Sequence, residues 1–247
     1  IDNVDAILGG VCSTESLAIS PLLEADNMIA VSGVSTSSDL QSASMNFYSF
    51  ANSSYLPSKM MVEQASKFER VAMISEQVDY TMGVHDYIKN GLGDTLVSSE
   101  VYEAGSTDMR NVIIKALNSK PDALILNPNA GVTPKVLLNQ LAENASDLDG
   151  VQIITQLAYL GAETRSDVAE LAEGMMIVDV PEVVSLDFAE FKNSIDTEFQ
   201  MHSDFLIAST HDAMLNLLTA TIQAKQQNSD VLSTFRNLDL QGFIDRK

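Results

Sequence analysis

The stretch Ile7-Leu8-Gly9-Gly10-Val11-Cys12-Ser13-Thr14-Glu15-Ser16 decides how this chain is read. It continues the apolar run that starts at Val4, which reads as a buried strand. It leads into Leu17-Ala18-Ile19 and Leu22-Leu23, which share one side of a helix. Two glycines, two hydroxyls and several backbone N–H groups therefore lie where a strand turns into a helix. Such a turn attracts anions, because the first N–H groups of a helix lack intrahelical partners and its dipole favours negative charge. The same residues also read as an ordinary helix start, with Ser13 or Thr14 as the N-cap. The local sequence leaves both readings open.

Outward from this turn the chain alternates short apolar runs with helical stretches. Strands are expected over 4–8, 28–31, 46–50, 70–75, 95–102, 123–126, 151–155 and 175–178, with a Ser-rich loop over 32–44. Helices are expected over 14–25, 57–67, 82–90, 107–118 with Thr107 as cap, 134–143 and 166–172, and almost continuously from 187 to 236. This order predicts an α/β fold with parallel sheets flanked by helices. The strands are continuously apolar, as sheets buried on both faces require. Ligands of such sheets bind beyond the C-terminal strand ends. That rule singles out the loops 9–14, 32–38, 76–80, 127–131 and 156–160.

Composition narrows the function. The 247 residues are 45% hydrophobic and 19% charged, enough for one large domain or two lobes. A net charge of −20 argues against nucleic acid and acidic membrane faces. It leaves room for a small anion held at a helix N-terminus. No apolar run reaches membrane-spanning length. Cys12 is the single cysteine, and His85, His202 and His211 show no metal spacing. Neither a metal-binding nor a nucleophile motif is present. The sequence therefore points to a binder without catalytic residues, metal or cofactor. Both ends read as cut, so the chain is expected to be part of a longer one.

Several landmarks then match one family in order. Ile7 to Thr14 and the stretch Ile29-Ala30-Val31-Ser32-Gly33-Val34-Ser35-Thr36-Ser37-Ser38-Asp39-Leu40 are similar to its two first-lobe ligand loops. Asp79-Tyr80-Thr81-Met82-Gly83 stands for its Asp-Tyr-Gly-x-Gly. Gly105-Ser106-Thr107-Asp108-Met109 and Pro121-Asp122-Ala123-Leu124 match second-lobe starts, Ala172-Glu173-Gly174-Met175 precedes the return crossing, and His211-Asp212-Ala213 resembles its Tyr-Asp-Ala. The chain resembles the type I periplasmic solute-binding proteins of ABC transporters, in the branched-chain amino-acid (Leu/Ile/Val) family.

The resemblance implies a two-lobe type I periplasmic-binding fold truncated at both ends. Lobe 1 would comprise 1–52 and 180–238, and lobe 2 would comprise 53–179 and 239–247, with hinge crossings near 52–57 and 179–182. It implies that Ser13 and Thr36 hold a solute carboxylate, with Thr14 a further ligand-binding residue, that Val34 and Ser35 offer backbone groups, and that Tyr80 closes over the solute. A surface aromatic at a helix start is the plainer reading of Tyr80. Asn129, Gln156 and Leu157 would also bind the solute, Gln156 and Asn129 as neutral oxygens for an amine if it has one. Where amino-acid binders of the family carry an acid for the amine, this sequence reads Gln156-Leu157-Ala158-Tyr159. An amino acid, an amine-less carboxylate or an amide thus remain open as ligands. The resemblance further implies a membrane permease as partner and a periplasmic or extracellular location, with or without a lipoprotein anchor. It also implies a disulfide from Cys12 to an absent front segment, the alternative being a free buried thiol. A sensory ectodomain of the same fold and a cytosolic α/β enzyme are the competing readings.

Overall fold

Short apolar runs separated by helices pair as parallel strands, and the strands of this protein do so in two sheets. The structure, a computed structural model, describes residues 4–156, 158, 172–178, 186–199 and 205–243. The chain divides into two compact units, Ile1–Ser53 with Val180–Lys247, and Ser54–Asp179.

The first unit opens with β1 (Ile7–Leu8), α1 (Ser13–Ala25), β2 (Ala30–Ser32), α2 (Leu40–Ala43) and β3 (Phe47–Ser49). Its strands lie in the order β1-β2-β3, with Ile7 opposite Ala30 and Ser32 opposite Ser49. β1 is shorter than the apolar run suggests, because it lies at the edge and pairs only with Ala30 and Val31. The Ser-rich loop contains α2, a helical turn that the polar composition hid.

The second unit runs through α3 (Tyr55–Ala65), β4 (Val71–Gln77), α4 (Asp79–Leu92), β5 (Leu96–Glu103), α5 (Arg110–Asn118), β6 (Ala123–Asn127), α6 (Thr133–Ala142), β7 (Gln152–Gln156) and β8 (Met176–Val178). The strand order is β5-β4-β6-β7-β8. Side chains alternate across this sheet, as strand geometry demands. Val71, Met73, Ala123, Ile125 and Ile154 pack against Met61 of α3 and Val84 and Ile88 of α4. Ala72, Ile74, Leu124, Leu126 and Ile153 pack on the other face, against Ile113 of α5 and Leu137 and Leu141 of α6. β4 has β5 on one side and β6 on the other, so the chain runs one way from β4 to β5 and then doubles back past β4 to β6. That switch opens a crevice at the C-terminal ends of β4 and β6.

Thr107 does not cap α5. The helix begins at Arg110, with Met109 in the N-cap position. Gln140 of α6 explains the shift: its Oε1 accepts the Met109 N–H at 2.7 Å and its Nε2 donates to the Thr107 carbonyl at 2.8 Å. A buried amide from a neighbouring helix takes over the capping task.

The first unit resumes with α7 (Leu186–Phe199), α8 (Phe205–Gln227) and α9 (Val231–Arg236). Ala213, Leu217, Ala220, Leu232 and Phe235 from α8 and α9 cover the face that carries Ile29 and Val31. The opposite face carries Ala30 and Phe47 and packs against Leu23 of α1. The expectation that 239–247 joins the second lobe is not met for the tail up to Phe243. Asn216 of α8 holds Gln241 through both backbone groups, at 2.6 and 2.9 Å, and Asp212 Oδ1 accepts the Phe243 N–H at 3.0 Å. The tail belongs to the first unit because α8 presents it with these fixed polar partners. The expected helix over 166–172, but for residue 172, and the second crossing over 179–182 lie outside the described residues. Among the described residues no helix is long and apolar enough to cross a membrane.

Candidate functional site

In the first unit the strand-to-helix turns at the C-terminal ends of β1 and β2 are knitted by serines. Ser32 Oγ donates to the Gly10 carbonyl at 2.7 Å and accepts the N–H groups of Val34 and Ser35 at 3.1 and 3.0 Å. Ser35 Oγ also donates to Gly10 O, at 2.9 Å, and receives the Ser16 hydroxyl proton at 2.7 Å. Ser13 Oγ accepts the Ser37 N–H at 3.2 Å. Each buried hydroxyl is satisfied, as burial requires, and the two loops become one rigid surface.

The start of α1 differs from the expectation. Cys12 holds the N-cap position and Ser13 is the first helical residue, so neither Ser13 nor Thr14 is the cap. Glu15 does that work, its Oε2 accepting the N–H groups of Val11 and Cys12 at 3.0 and 3.2 Å. Part of the anion-attracting character of this turn is therefore met by the chain's own carboxylate. Ser13 is 4% exposed, Thr14 is exposed and Thr36 is half-buried. Having accepted from Ser37, Ser13 Oγ keeps its own proton for donation. The backbone N–H groups of Val34 and Ser35 are engaged by Ser32 and so do not point to a solute. Cys12 is exposed rather than buried. Beside these loops a cavity of about 190 Å³ opens at the ends of β2 and β3, lined among others by Ser35, Thr36, Phe47, Ser49 and Ser53.

In the second unit the crevice at the switch point is built on Glu76, 4% exposed at the end of β4. Its Oε1 accepts the Gly105 N–H at 3.0 Å. Its Oε2 accepts the Asn129 N–H at 2.9 Å, Thr133 Oγ1 at 2.7 Å and the Tyr102 hydroxyl at 3.4 Å. Burial and the neighbouring Glu76 charge push the Tyr102 pKa far up, so Tyr102 stays a donor. Beside this hub Tyr80, half-buried at the start of α4, donates its hydroxyl to Gln156 Oε1. Gln156 Nε2 donates to Asn127 Oδ1 at 2.7 Å, and Asn127 Nδ2 donates to Ser75 Oγ at 3.1 Å.

The chain of bonds ends on His85, buried between Ser75 Oγ (2.9 Å from Nδ1) and Ser99 Oγ (3.1 Å from Nε2). Burial lowers its pKa from 6.5, with Asp86 opposing and Lys89 reinforcing. The unfolded chain then binds the proton more readily than the folded one. His85 therefore contributes stability above about pH 6.5 that is lost as pH falls through the folded pKa. The urea midpoint is expected to fall between pH 7 and 5, with a shallower slope in His85→Gln. An equal slope in that variant would exclude His85 as the source.

The structure thus brings together Ser13, Ser35 and Thr36 in the first unit, and Tyr80, Asn129 and Gln156 in the second. Leu157 and most of the 156–160 loop lie outside the described residues. Sequence reading missed Ser32, Ser37, Glu76, Asn127 and Thr133. Glu76 and Asn127 are the first residues of the 76–80 and 127–131 loops already singled out, and that position was the available signal. Among the described residues no group of three potential metal-ligating side chains forms.

The family described as "Periplasmic binding protein" matches residues 1–238. No curated protein matches the chain. Solved structures resemble it as well, among them the following three. One is a solute-binding protein of an ABC transporter from Rhodopseudomonas palustris in complex with 3,4-dihydroxybenzoic acid, with 17% identity, a TM-score of 0.78, and coverage of 94% of this chain and 65% of that one. Another is the branched-chain amino acid transporter substrate-binding protein LivJ from Streptococcus pneumoniae with isoleucine, with 17% identity, TM-score 0.75, and coverage of 94% and 68%. The third is the leucine-binding protein LivK from Thermotoga maritima, with 19% identity, TM-score 0.74, and coverage of 97% and 71%. At these identities the likeness shows the type I periplasmic-binding fold, of which the chain spans 65% of the first relative's length. The match over 1–238 goes further: the chain belongs to the periplasmic binding protein family.

Proposed function

We propose that this protein binds a small carboxylate-bearing solute between its two units, outside the cytoplasm, and hands it to the permease of an ABC importer. Hinges over 52–57 and 179–182 would let the units close on the solute, since contacts from both favour the closed form. The observation that carries this reading is the placement of polar groups at the C-terminal strand ends of each sheet. These are Ser13 and Thr36 beside a cavity in the first unit, and Tyr80, Asn129 and Gln156 at the switch point of the second. In this reading Ser13 and Thr36 donate to the carboxylate, Thr14 is a further ligand-binding residue, and the second unit covers the rest of the solute. Leu157 joins that cover.

A carboxylate without an ammonium suits the site best. Glu76 already accepts four hydrogen bonds and Glu15 two, so neither offers a bare acid to a cation. An unmatched ammonium in a closed cleft is costly. The relative from Rhodopseudomonas palustris, solved with an amine-less aromatic acid, shows that this fold can hold such a molecule.

A thermal-shift screen of the whole protein against amino acids, carboxylates and amides tests the reading, since a binder raises the melting temperature with concentration. Ser13→Ala and Thr36→Ala are each expected to weaken binding about tenfold, the worth of one hydrogen bond to a charge; Thr36→Ala leaves the melting temperature little changed, whereas Ser13→Ala also lowers it, because the buried Ser37 N–H loses its acceptor. Unchanged affinity in both removes the carboxylate pocket.

A further inference from the structure

His85 of α4 is buried, and the bonds around it fix which of its nitrogens carries the proton. Ser75, fully buried on β4, accepts one proton of Asn127 Nδ2 at 3.1 Å. Its own proton then needs an acceptor. Among the described residues that acceptor is His85 Nδ1, at 2.9 Å. Nδ1 is therefore bare, and Nε2–H donates to Ser99 Oγ at 3.1 Å. Asn127 is committed as well. Its other Nδ2 proton goes to the Thr81 carbonyl at 2.8 Å, and its Oδ1 accepts Gln156 Nε2 at 2.7 Å.

A proton added to Nδ1 breaks this order. Nδ1 becomes a donor, and Ser75 Oγ receives two protons while its own meets no acceptor. Asn127 can take that proton only by turning its amide over. That sets Oδ1 against the Thr81 carbonyl and Nδ2 against Gln156 Nε2. Protonation thus divides the network between an orphaned hydroxyl and a released Gln156. Gln156 is 1% exposed, so water does not relieve the mismatch. The charges that act on the imidazole are Asp86 and Lys89 of α4 itself. β4 and β5 meet it with the neutral Ser75 and Ser99. Glu76 and Glu100 point to the other face of the sheet, towards Thr133 and Lys115, and Glu103 is exposed at the end of β5. β6 carries no charge. Lys59 and Glu63 of α3 pair with each other at 3.9 Å, and Asp94 lies in the turn after α4.

We propose that His85 is a pH-sensitive positioning residue: neutral, it holds Gln156 ready for the solute through Ser75 and Asn127, and protonated, it weakens that hold so that the solute leaves. This rests on the binding reading above and adds its regulation. By linkage the bound solute and the His85 proton oppose each other, so capture is favoured at neutral pH and release in acid.

Calorimetric titration of the whole protein at pH 7.5 and pH 5 tests this. The probes are 3,4-dihydroxybenzoate and isoleucine, the molecules held by two of the structural relatives. The affinity of a probe that binds is expected to fall at least about threefold at pH 5. It should fall by no more than about thirtyfold, the limit for one proton site whose pKa burial has lowered from 6.5. In His85→Gln and in Ser75→Ala the affinity is expected to be the same at both pH values. Ser75→Ala keeps the histidine and removes its link, so it separates the network from a charge acting at a distance. Equal pH dependence in the parent and His85→Gln, or its survival in Ser75→Ala, overturns the inference and leaves the binding reading standing. If neither probe binds, NMR on the free parent protein decides. Imidazole nitrogen shifts are expected to show Nε2 protonated and Nδ1 bare at pH 7.5. The Gln156 side-chain amide protons are expected to lose at least about threefold in protection, relative to free glutamine at the same pH, as His85 takes up its proton. A proton on Nδ1 at pH 7.5, or Gln156 protection indifferent to His85, overturns the inference without any ligand.

Discussion

Glu76→Leu is expected to lower the stability of the second unit by about 4 kcal/mol. Four donors lose their acceptor at once: the backbone N–H groups of Gly105 and Asn129 and the hydroxyls of Thr133 and Tyr102. An orphaned buried donor costs roughly 1–3 kcal/mol, and the two hydroxyls can rotate to lessen their share, which places the total near 4. The loops after β5 and β6 share this carboxylate as their anchor, so the Asn129 region of the candidate site shifts as well. Glu76→Gln is expected to cost less, since it keeps one carbonyl oxygen but turns an NH2 towards another donor. The chain has no tryptophan, so urea unfolding followed by circular dichroism is the suitable measurement. A Glu76→Leu midpoint equal to that of the parent would show that these donors find other acceptors.

Gly33→Ala is expected to cost the first unit about 3 kcal/mol, the upper end of the usual penalty for overfilling a packed site. A β-carbon there would lie 2.3 Å from Thr210 Cα and 2.5 Å from Thr210 N. These are backbone atoms of α8, which no rotamer change can move aside. The Gly33 carbonyl also accepts from Ser209 Oγ, so the helix is tied to the loop at the point of closest approach. Displacing it moves Val34, Ser35 and Thr36 together, and solute affinity is expected to fall with stability. Gly9→Ala serves as the control. Gly9 has φ +143° but open space around it, so its cost is backbone strain alone, about 1 kcal/mol. Equal, small effects of the two substitutions would refute the close packing of α8 on Gly33.

Much of the fold is legible because its causes are local or periodic. The run Val71-Ala72-Met73-Ile74 is apolar at every position, and a strand buried on both faces is what such a run forms. The loops chosen from the rule about strand ends hold Ser13, Thr36, Tyr80 and Asn129 at the C-terminal ends of parallel strands. The errors share another cause. Gln140 displaces Thr107 as the partner of the α5 start, Ser32 takes the N–H groups of Val34 and Ser35, and Glu15 reaches back to Val11 and Cys12. In each case a polar side chain competes for a backbone group that the local pattern assigned elsewhere. The winner depends on which group the packing excludes from water.

By itself the sequence determined the alternation of strands and helices, the parallel pairing that follows from it, and the ends of the strands where polar loops gather. These depend on the periodicity of apolar residues and on turn chemistry, both written in neighbouring positions. Tertiary structure alone decided that the tail up to Phe243 joins the first unit, that α8 lies against Gly33, and that Glu76 serves four donors, from β5, α6 and the loops after β5 and β6. It also set the direction of the protons from Tyr80 to the Thr81 carbonyl. A buried polar atom is committed by whatever lies within about 3 Å of it, and those neighbours come from segments that only folding brings together.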